Sequence, residues 1–413
     1  MISYKNALKL LYKSKIKIKS EKILLKNSLY RICSENIYSK SNYPATNNTA
    51  LDGFAINSIE TTKLKKNKYA KFKVLKTLVA GDKPDIEKIK KGYCIEVMTG
   101  TSIKKPFDTI IPYEESYVVK ENKSKYLLIN KKIKKFNHLR FVGSDFKKGQ
   151  IVVRKGDLIK ASDILALKTL GIKNIKVRKK INVVFYPTGN EISNKEFVPL
   201  WKVRNSNGDY IKSFARILPI KFKEEKILKD NDEKKFEKEI KKCIKKNIDI
   251  IMTIGGVSAG RHDFIPKIVN KFKTKYKFKN SKIRPGKPIL FSKLNTKTVF
   301  FGLPGNPIST AACFRFFVLP FIFKSIEYLG TKPIAAKLNS TFKKDKNFTR
   351  FIKGVLKISK KGFSEFSVLK GQESYRIKPL LISNVWGQFN QGKSSFNKGD
   401  IIECHTTFGV NFL

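Results

Sequence analysis

Two nearly continuous apolar runs and a third strand-like segment between them, each ending at a loop, dominate the middle of the chain. Ile181–Tyr186 runs into Pro-Thr-Gly, Ile220–Ile227 follows a helical stretch over Asp209–Leu218, and Asp249–Ile254 runs into Gly-Gly. Between the last two, Glu233–Lys246 reads as a helix with a polar face. Runs without polar alternation suit strands covered on both faces, and strand–helix–strand alternation predicts a parallel sheet in a three-layer α/β domain over 178–325. Upstream, 28–130 breaks into short apolar runs such as Tyr69–Val79, punctuated by Gly53, Gly81, Gly92 and Gly100, a β-rich pattern. Ala7, Leu8, Leu10 and Leu11 fall at roughly helical spacing within 1–27, and 136–177 sets glycine turns between short strands and one helix, Ser162–Leu170. Residues 335–413 return to short β segments, the pattern of a small barrel-like tail. The expected division is therefore 1–27 with 131–177 as a discontinuous linker domain, 28–130 as a β-rich second domain, 178–325 as the α/β domain, and 326–413 as the barrel-like C-terminal domain.

Composition narrows the partners. No stretch reaches 18 uninterrupted apolar residues, so no membrane span is expected, and Phe314–Phe323, interrupted by Arg315, reads as a buried helix. Met1–Leu25 interleaves Lys with Leu and Ile and has no signal-peptide core, which points to the cytoplasm. Five scattered cysteines, none at metal-ligand spacing, read as buried thiols of a reducing compartment, and three histidines exclude a His-rich metal site. The formal charge of +54 suggests a polyanion partner, but Arg supplies 11 of the 87 basic residues and Lys the other 76, spread along the whole chain. Asn, Ile and Phe, whose codons are AT-rich like lysine's, are also abundant. Compositional drift with solvated Lys faces accounts for the charge, and no specific nucleic-acid surface is expected.

Three segments suit an anionic ligand. Thr253-Ile-Gly-Gly-Val-Ser-Ala-Gly-Arg-His-Asp263 leaves a buried strand, and its glycines permit tight backbone passage with Ser258 beside them. The alternative there is an ordinary glycine turn with a capping Asp. In Ile283-Arg-Pro-Gly-Lys-Pro-Ile289, Arg284 and Lys287 flank a Pro-Gly turn that aims both charges one way. In Phe301-Gly-Leu-Pro-Gly-Asn-Pro-Ile-Ser309, Pro307 can start a helix whose first turn holds Ser309, and the motif taken alone equally fits a plain strand-to-helix turn. The carboxylates Asp52, Glu191, Asp230 and Asp263 are candidates for a hard cation such as Mg2+, which takes oxygen ligands and shares them with phosphates. Each taken singly also fits a surface or capping residue.

In this order the segments resemble the molybdopterin molybdenumtransferase family, bacterial relatives of the gephyrin E domain. Further matches are Asn47-Asn-Thr-Ala-Leu-Asp-Gly-Phe-Ala55, Val97-Met-Thr-Gly100, Asp108-Thr-Ile-Ile-Pro112, Gly143-Ser-Asp145, Pro187-Thr-Gly-Asn-Glu191 and Arg204-Asn-Ser-Asn207, so the likeness spans nearly the whole chain. It implies insertion of molybdate into adenylylated molybdopterin with release of AMP, in an elongated homodimer whose α/β domain binds the pterin. It further implies that Asp52 and Thr99 act in trans, and that Glu191, Asp230 and Asp263 hold Mg2+ and the nucleotide phosphates. Arg284, Lys287 and Ser309 would bind molybdate, joined by Arg350 and Ser374 from the tail. Asn207, Gly255, Gly256 and Ser258 would complete substrate binding. Where many members carry Gly-Asp-Glu this chain has Asn190, and where many carry Asp before Ser/Thr-Asn it has Asn205. Two other readings share the fold: a molybdopterin adenylyltransferase, against which the long N-terminal region and the tail argue, and a non-catalytic scaffold.

Overall fold

A computed structural model describes residues 1–65, 68–85, 89–257, 264–272, 277–330 and 332–407. The chain forms two compact units, one of Met1–Glu35, Lys155–Lys160 and Ile175–Leu413, the other of Asn36–Arg154 and Ala161–Asn174.

The second unit is built on a six-stranded sheet of β1 (Gly53–Ile56), β2 (Ala70–Leu78), β3 (Tyr93–Val97), β4 (Thr109–Pro112), β5 (Tyr117–Glu121) and β6 (Ser124–Ile129), in the order β4-β1-β3-β2-β6-β5. Phe54, Phe72, Cys94 and Leu127 pack on one face, and Ala55, Ile95 and Ile110 on the other. The expected helix of this region spans Ala161–Thr169.

The first unit opens with α1 (Tyr4–Lys13), capped by the Ser3 hydroxyl, which accepts from Asn6 N. Its centre is a six-stranded sheet of β7 (Ile181–Pro187), β8 (Ile220–Glu224), β9 (Ile250–Ile254), β10 (Phe278–Lys279), β12 (Leu290–Lys293) and β13 (Val299–Leu303), in the order β8-β7-β9-β13-β12-β10. β11 (Ile283–Arg284) leaves this sheet for the tail. The neighbours β8, β7, β9 and β13 run parallel, as expected, while β12 and β10 add an antiparallel edge that the apolar runs did not signal.

The continuous apolar runs have a direct cause. Val183 and Phe185, Ile250 and Met252, and Val299 and Phe301 feed one core, whereas Val184 and Tyr186, Ile251, and Phe300 feed the other. A strand between two helical layers has no solvent face, so both of its side-chain sets are apolar. α2 (Glu233–Lys245) covers the second core with Phe236, Ile240 and Cys243. The first is filled by Pro307–Cys313, a π-helical turn at Phe314–Val318, and Leu319–Ser325. That continuous 19-residue helix is long and apolar enough to cross a membrane, yet it is 83% buried within this core.

The tail closes into a five-stranded barrel. β14 (Ile334–Leu338), β15 (Thr349–Ile358), β16 (Ser364–Val368), β17 (Val385–Phe389) and β18 (Ile401–Thr406) follow the circuit β15-β16-β14-β18-β17, and β17 pairs back to β15. β11 joins this barrel along β15 in parallel, setting Ile283 opposite Thr349 and Arg284 opposite Arg350.

Candidate active site

A cavity of about 730 Å³ lies beyond the carboxyl ends of the parallel strands, where open α/β sheets bind ligands. Glu191, Arg204, Asn207, Gly255, Gly256, Arg284, Lys287, Ser309, Arg350 and Ser374 all line it. Four cationic side chains (Arg204, Arg284, Lys287, Arg350) face it with two anionic ones, Glu191 and Glu373. The cavity therefore favours an anion.

Backbone geometry explains two of the glycines. Gly255, at the end of β9, has φ +90°, and a Cβ there would stand 2.5 Å from the Thr188 carbonyl oxygen. Gly286, between Arg284 and Lys287, has φ +99°, and a Cβ would meet Cys313 Sγ at 2.6 Å. The Cys313 thiol donates to the Gly286 carbonyl at 3.3 Å, so the turn that carries both cations rests on the buried helix. Ser258 and Asp263 lie outside the described residues.

The cationic side is assembled by strand pairing. Arg284 and Arg350 are ladder neighbours, burial followed by the Arg284 charge lowers the Arg350 pKa, and among the described residues the buried Arg350 Nε has no hydrogen-bond partner. The Arg284 guanidinium lies 4.1 Å over the Phe348 ring and 4.0 Å from Asp345. Ser309, 5% exposed, sits in the first turn of the helix that starts at Pro307. Asn306 Nδ2 donates to Ser374 Oγ at 3.3 Å, and Ile308 N to the Ser374 carbonyl at 3.3 Å, which tie the tail loop to this turn.

On the other side stand the residues expected to hold a cation. Glu191 is exposed on the wall, whereas Asp230 is outside the cavity lining and accepts from Asn190 Nδ2 at 2.8 Å. Among the described residues no group of three Asp, Glu, His or Cys side chains could hold a metal ion. Asn205 caps the helix Ser206–Ser213, accepting from Gly208 N at 3.3 Å, which starts that helix three residues earlier than its hydrophobic pattern indicated. Its amide donates to Glu224 Oε1 at 2.7 Å, and burial raises the Glu224 pKa. Asn207 Nδ2 donates to the Gly305 carbonyl at 2.8 Å.

Asp52 and Thr99 belong to the second unit. Thr99 N and Oγ1 donate to Asp52 Oδ1 at 2.5 and 2.7 Å, and the side-chain bond, then the backbone bond, holds the Asp52 pKa below its usual value. Arg204, Gln372 and Glu373 also line the cavity without having been marked as site residues in the sequence. Arg204 lay within a matched motif, and the other two within the short match Gln372-Glu-Ser374, on a loop with no periodic or compositional signal of its own.

Comparison with known proteins agrees with this geometry. The family described as "MoeA N-terminal region (domain I and II)" matches residues 2–171, and that described as "Probable molybdopterin binding domain" matches 185–324. A Staphylococcus epidermidis protein named molybdopterin molybdenumtransferase is 29% identical over 415 residues, covering 100% of this chain and 97% of its own. One from Staphylococcus aureus is 29% identical over 343 residues, covering 82% and 80%. A crystal structure of the molybdopterin biosynthesis moeA protein from Pyrococcus horikoshii OT3 superposes with a TM-score of 0.80 at 25% identity, covering 98% of this chain and 99% of that one. Matched along both halves and in its whole fold, the chain belongs to the MoeA family, whose curated relatives carry the name molybdopterin molybdenumtransferase.

Proposed function

We propose that this protein inserts molybdate into adenylylated molybdopterin and releases AMP, a transferase step in molybdenum cofactor biosynthesis. The observation that carries the reading is the cationic wall. Arg284 and Arg350 are held side by side by one strand pairing, with Lys287 on the adjoining turn and Ser309 in the same cavity. A tetrahedral dianion relieves the repulsion between those cations and finds a hydroxyl donor nearby. Arg presents a planar fork to an oxyanion and Lys a mobile point charge, so the set neutralises molybdate while its oxygens give way to the substrate's own dithiolene sulfurs. No side chain is required as nucleophile, consistent with five cysteines that are all free and buried. Buried free thiols also suit the reducing cytoplasm in which this reading places the protein.

The reading includes a hard cation on the opposite side. Among the described residues the Glu191 carboxylate has no ion pair or hydrogen bond, and Asp230 is met by an amide in place of a cation, in a chain with a formal charge of +54. Glu191 and Asp230, with Asp263, would hold Mg2+. Bound there, Mg2+ neutralises and polarises the substrate's phosphoanhydride. Asn207 and the Gly255–Gly256 turn, with Ser258, would receive the rest of the substrate.

The reading also includes a homodimer in which Asp52 and Thr99 serve the cleft of a second copy, supported by their exposed, mutually hydrogen-bonded arrangement. Sedimentation equilibrium at twice the chain mass checks it; a monomer at micromolar concentration rejects it. The fourfold division of the chain remains part of the reading. It is supported by separate apolar clusters in the β-rich region, the α/β domain and the tail, and by backbone bonds from Arg178 and Lys179 to Ile32 and Lys19.

The direct test incubates the purified protein with adenylylated molybdopterin, Mg2+ and molybdate and follows AMP by chromatography. Molybdate-dependent AMP release, lost in Lys287→Ala, is expected. Tight pterin binding with no AMP release would identify a binding relative instead.

A further inference from the structure

The loop that carries Ser374 is held from behind by a single buried ammonium. Lys353, on β15, donates from Nζ to the carbonyls of Gly371 at 3.0 Å, Arg376 at 3.2 Å and Glu373 at 3.4 Å. Its backbone grips the same loop: Lys353 N donates to Gln372 Oε1 at 3.0 Å, and Gln372 Nε2 donates to the Lys353 carbonyl at 2.9 Å. Lys353 is 1% exposed and forms no ion pair among the described residues. Burying an ammonium without a carboxylate is costly, and three converging carbonyls offset only part of that cost.

We propose that Lys353 is a positioning residue for the oxyanion subsite: its ammonium gathers residues 371–376 so that Ser374 stands in the cavity, and its charge lies behind that wall. The proposal rests on the oxyanion reading of the cavity. It gives the lysine a signature that packing alone lacks. Burial pushes its pKa down to about 8, Glu373 on the loop opposes the shift, and Arg350 on the same strand and Arg376 on the loop reinforce it. α3 (Lys378–Ile382), packed on β15, brings Lys378, and β17 places the non-ionising Trp386 opposite in register.

A dianion in the subsite favours protonated Lys353, so its affinity is greatest below about pH 8 and falls as pH rises through that value. The neutral amine also has two N–H groups for three carbonyls. The lysine's own contribution to stability moves the other way. Its folded pKa lies below the unfolded value of 10.5, so between about 8 and 10.5 the unfolded chain binds more protons at this group and its titration stabilises the fold as pH rises. Titration of Lys353 itself therefore weakens anion binding without unfolding the chain.

The test titrates molybdate calorimetrically into the full-length protein, Lys353→Arg and Lys353→Met from pH 6.5 to 10, and measures amide exchange of residues 371–376 at pH 7. Wild-type affinity should fall on the order of tenfold between about pH 7 and 9.5, the loss of one charge-assisted interaction. Lys353→Arg, charged throughout, should keep its affinity across that window. Lys353→Met should bind weakly without an inflection, and its loop amides should lose protection while those of Thr349–Ile358 keep theirs. An identical inflection in wild type and Lys353→Arg, or a fully protected loop in Lys353→Met, overturns the proposal. If wild type binds no molybdate at any pH, the oxyanion reading itself fails. The exchange data then decide the positioning role alone: an unprotected loop in Lys353→Met retains it and a protected one removes it.

Discussion

The two walls of the cavity manage charge in opposite ways. Beside the acidic wall, outside the cavity lining, two carboxylates each meet a neutral amide, Asn190 bonding Asp230 at 2.8 Å and Asn205 bonding Glu224 at 2.7 Å, while Glu191 on the wall itself is exposed. On the basic wall cations are set against each other, Arg284 opposite Arg350 in strand register, with a guanidinium nitrogen buried and, among the described residues, unbonded. An amide accommodates a carboxylate without consuming its charge, so that wall stays able to take a cation. Strand pairing enforces proximity between like charges, so the other wall gains when an anion arrives. Both walls are under-neutralised by the protein itself, which is what a site for charged substrates requires.

The largest expected effect comes from breaking the basic wall. Arg284→Ala should lower molybdate-dependent AMP release about a hundredfold, the scale of removing one preorganised charge-stabilising group. It should leave thermal stability unchanged or higher, because Arg350 loses the neighbour that lowers its pKa. A large fall in melting temperature would show that the pair is structural.

A smaller effect comes from charging the acidic wall. Asn205→Asp keeps a good helix cap but replaces the amide facing Glu224 with a second carboxylate. It should cost about 1 kcal/mol of stability at neutral pH, by denaturant unfolding. The Glu224 pKa is already raised by burial and would rise further, so the folded state holds its proton to higher pH than the unfolded state does. Stability therefore falls as pH climbs above the carboxylate range, and the penalty fades on acidification. A penalty that is the same at both ends would point to lost packing.

The smallest is Asn190→Asp, which adds a carboxylate beside Asp230 and Glu191. It should lower the Mg2+ concentration that half-saturates AMP release a few-fold. No change in the Mg2+ requirement would place the cation elsewhere.

Much of this architecture was legible in the chain. β7 and β9 were marked by nearly continuous apolar runs because both of their faces are covered, and the helix at Pro307 by a Pro-Gly-Asn-Pro turn whose ring and glycine suit a strand-to-helix corner. The antiparallel edge of β10 and β12 was missed, since two- and four-residue strands carry too few positions to show a period. Lys353 was missed for a different reason. In a chain with 76 lysines, one lysine within a strand pattern reads as another solvated side chain. Asn190 and Asn205 stood out as departures from the family pattern, but their carboxylate partners, 40 and 19 residues away, did not.

By itself the sequence determined the local grammar of the protein: which segments are strands between two layers, where glycine and proline turn the backbone beside a ligand, and which side chains could meet an anion. Those properties depend on dihedral freedom and on period, which neighbouring residues specify. The tertiary structure alone decided that Arg284 leaves its own sheet to stand against Arg350, that two asparagine amides brace two carboxylates, and that one lysine of many is buried beneath the Ser374 loop. Each of these joins residues distant in the chain, and the cost of placing such charges together is set by burial, which a linear sequence does not display.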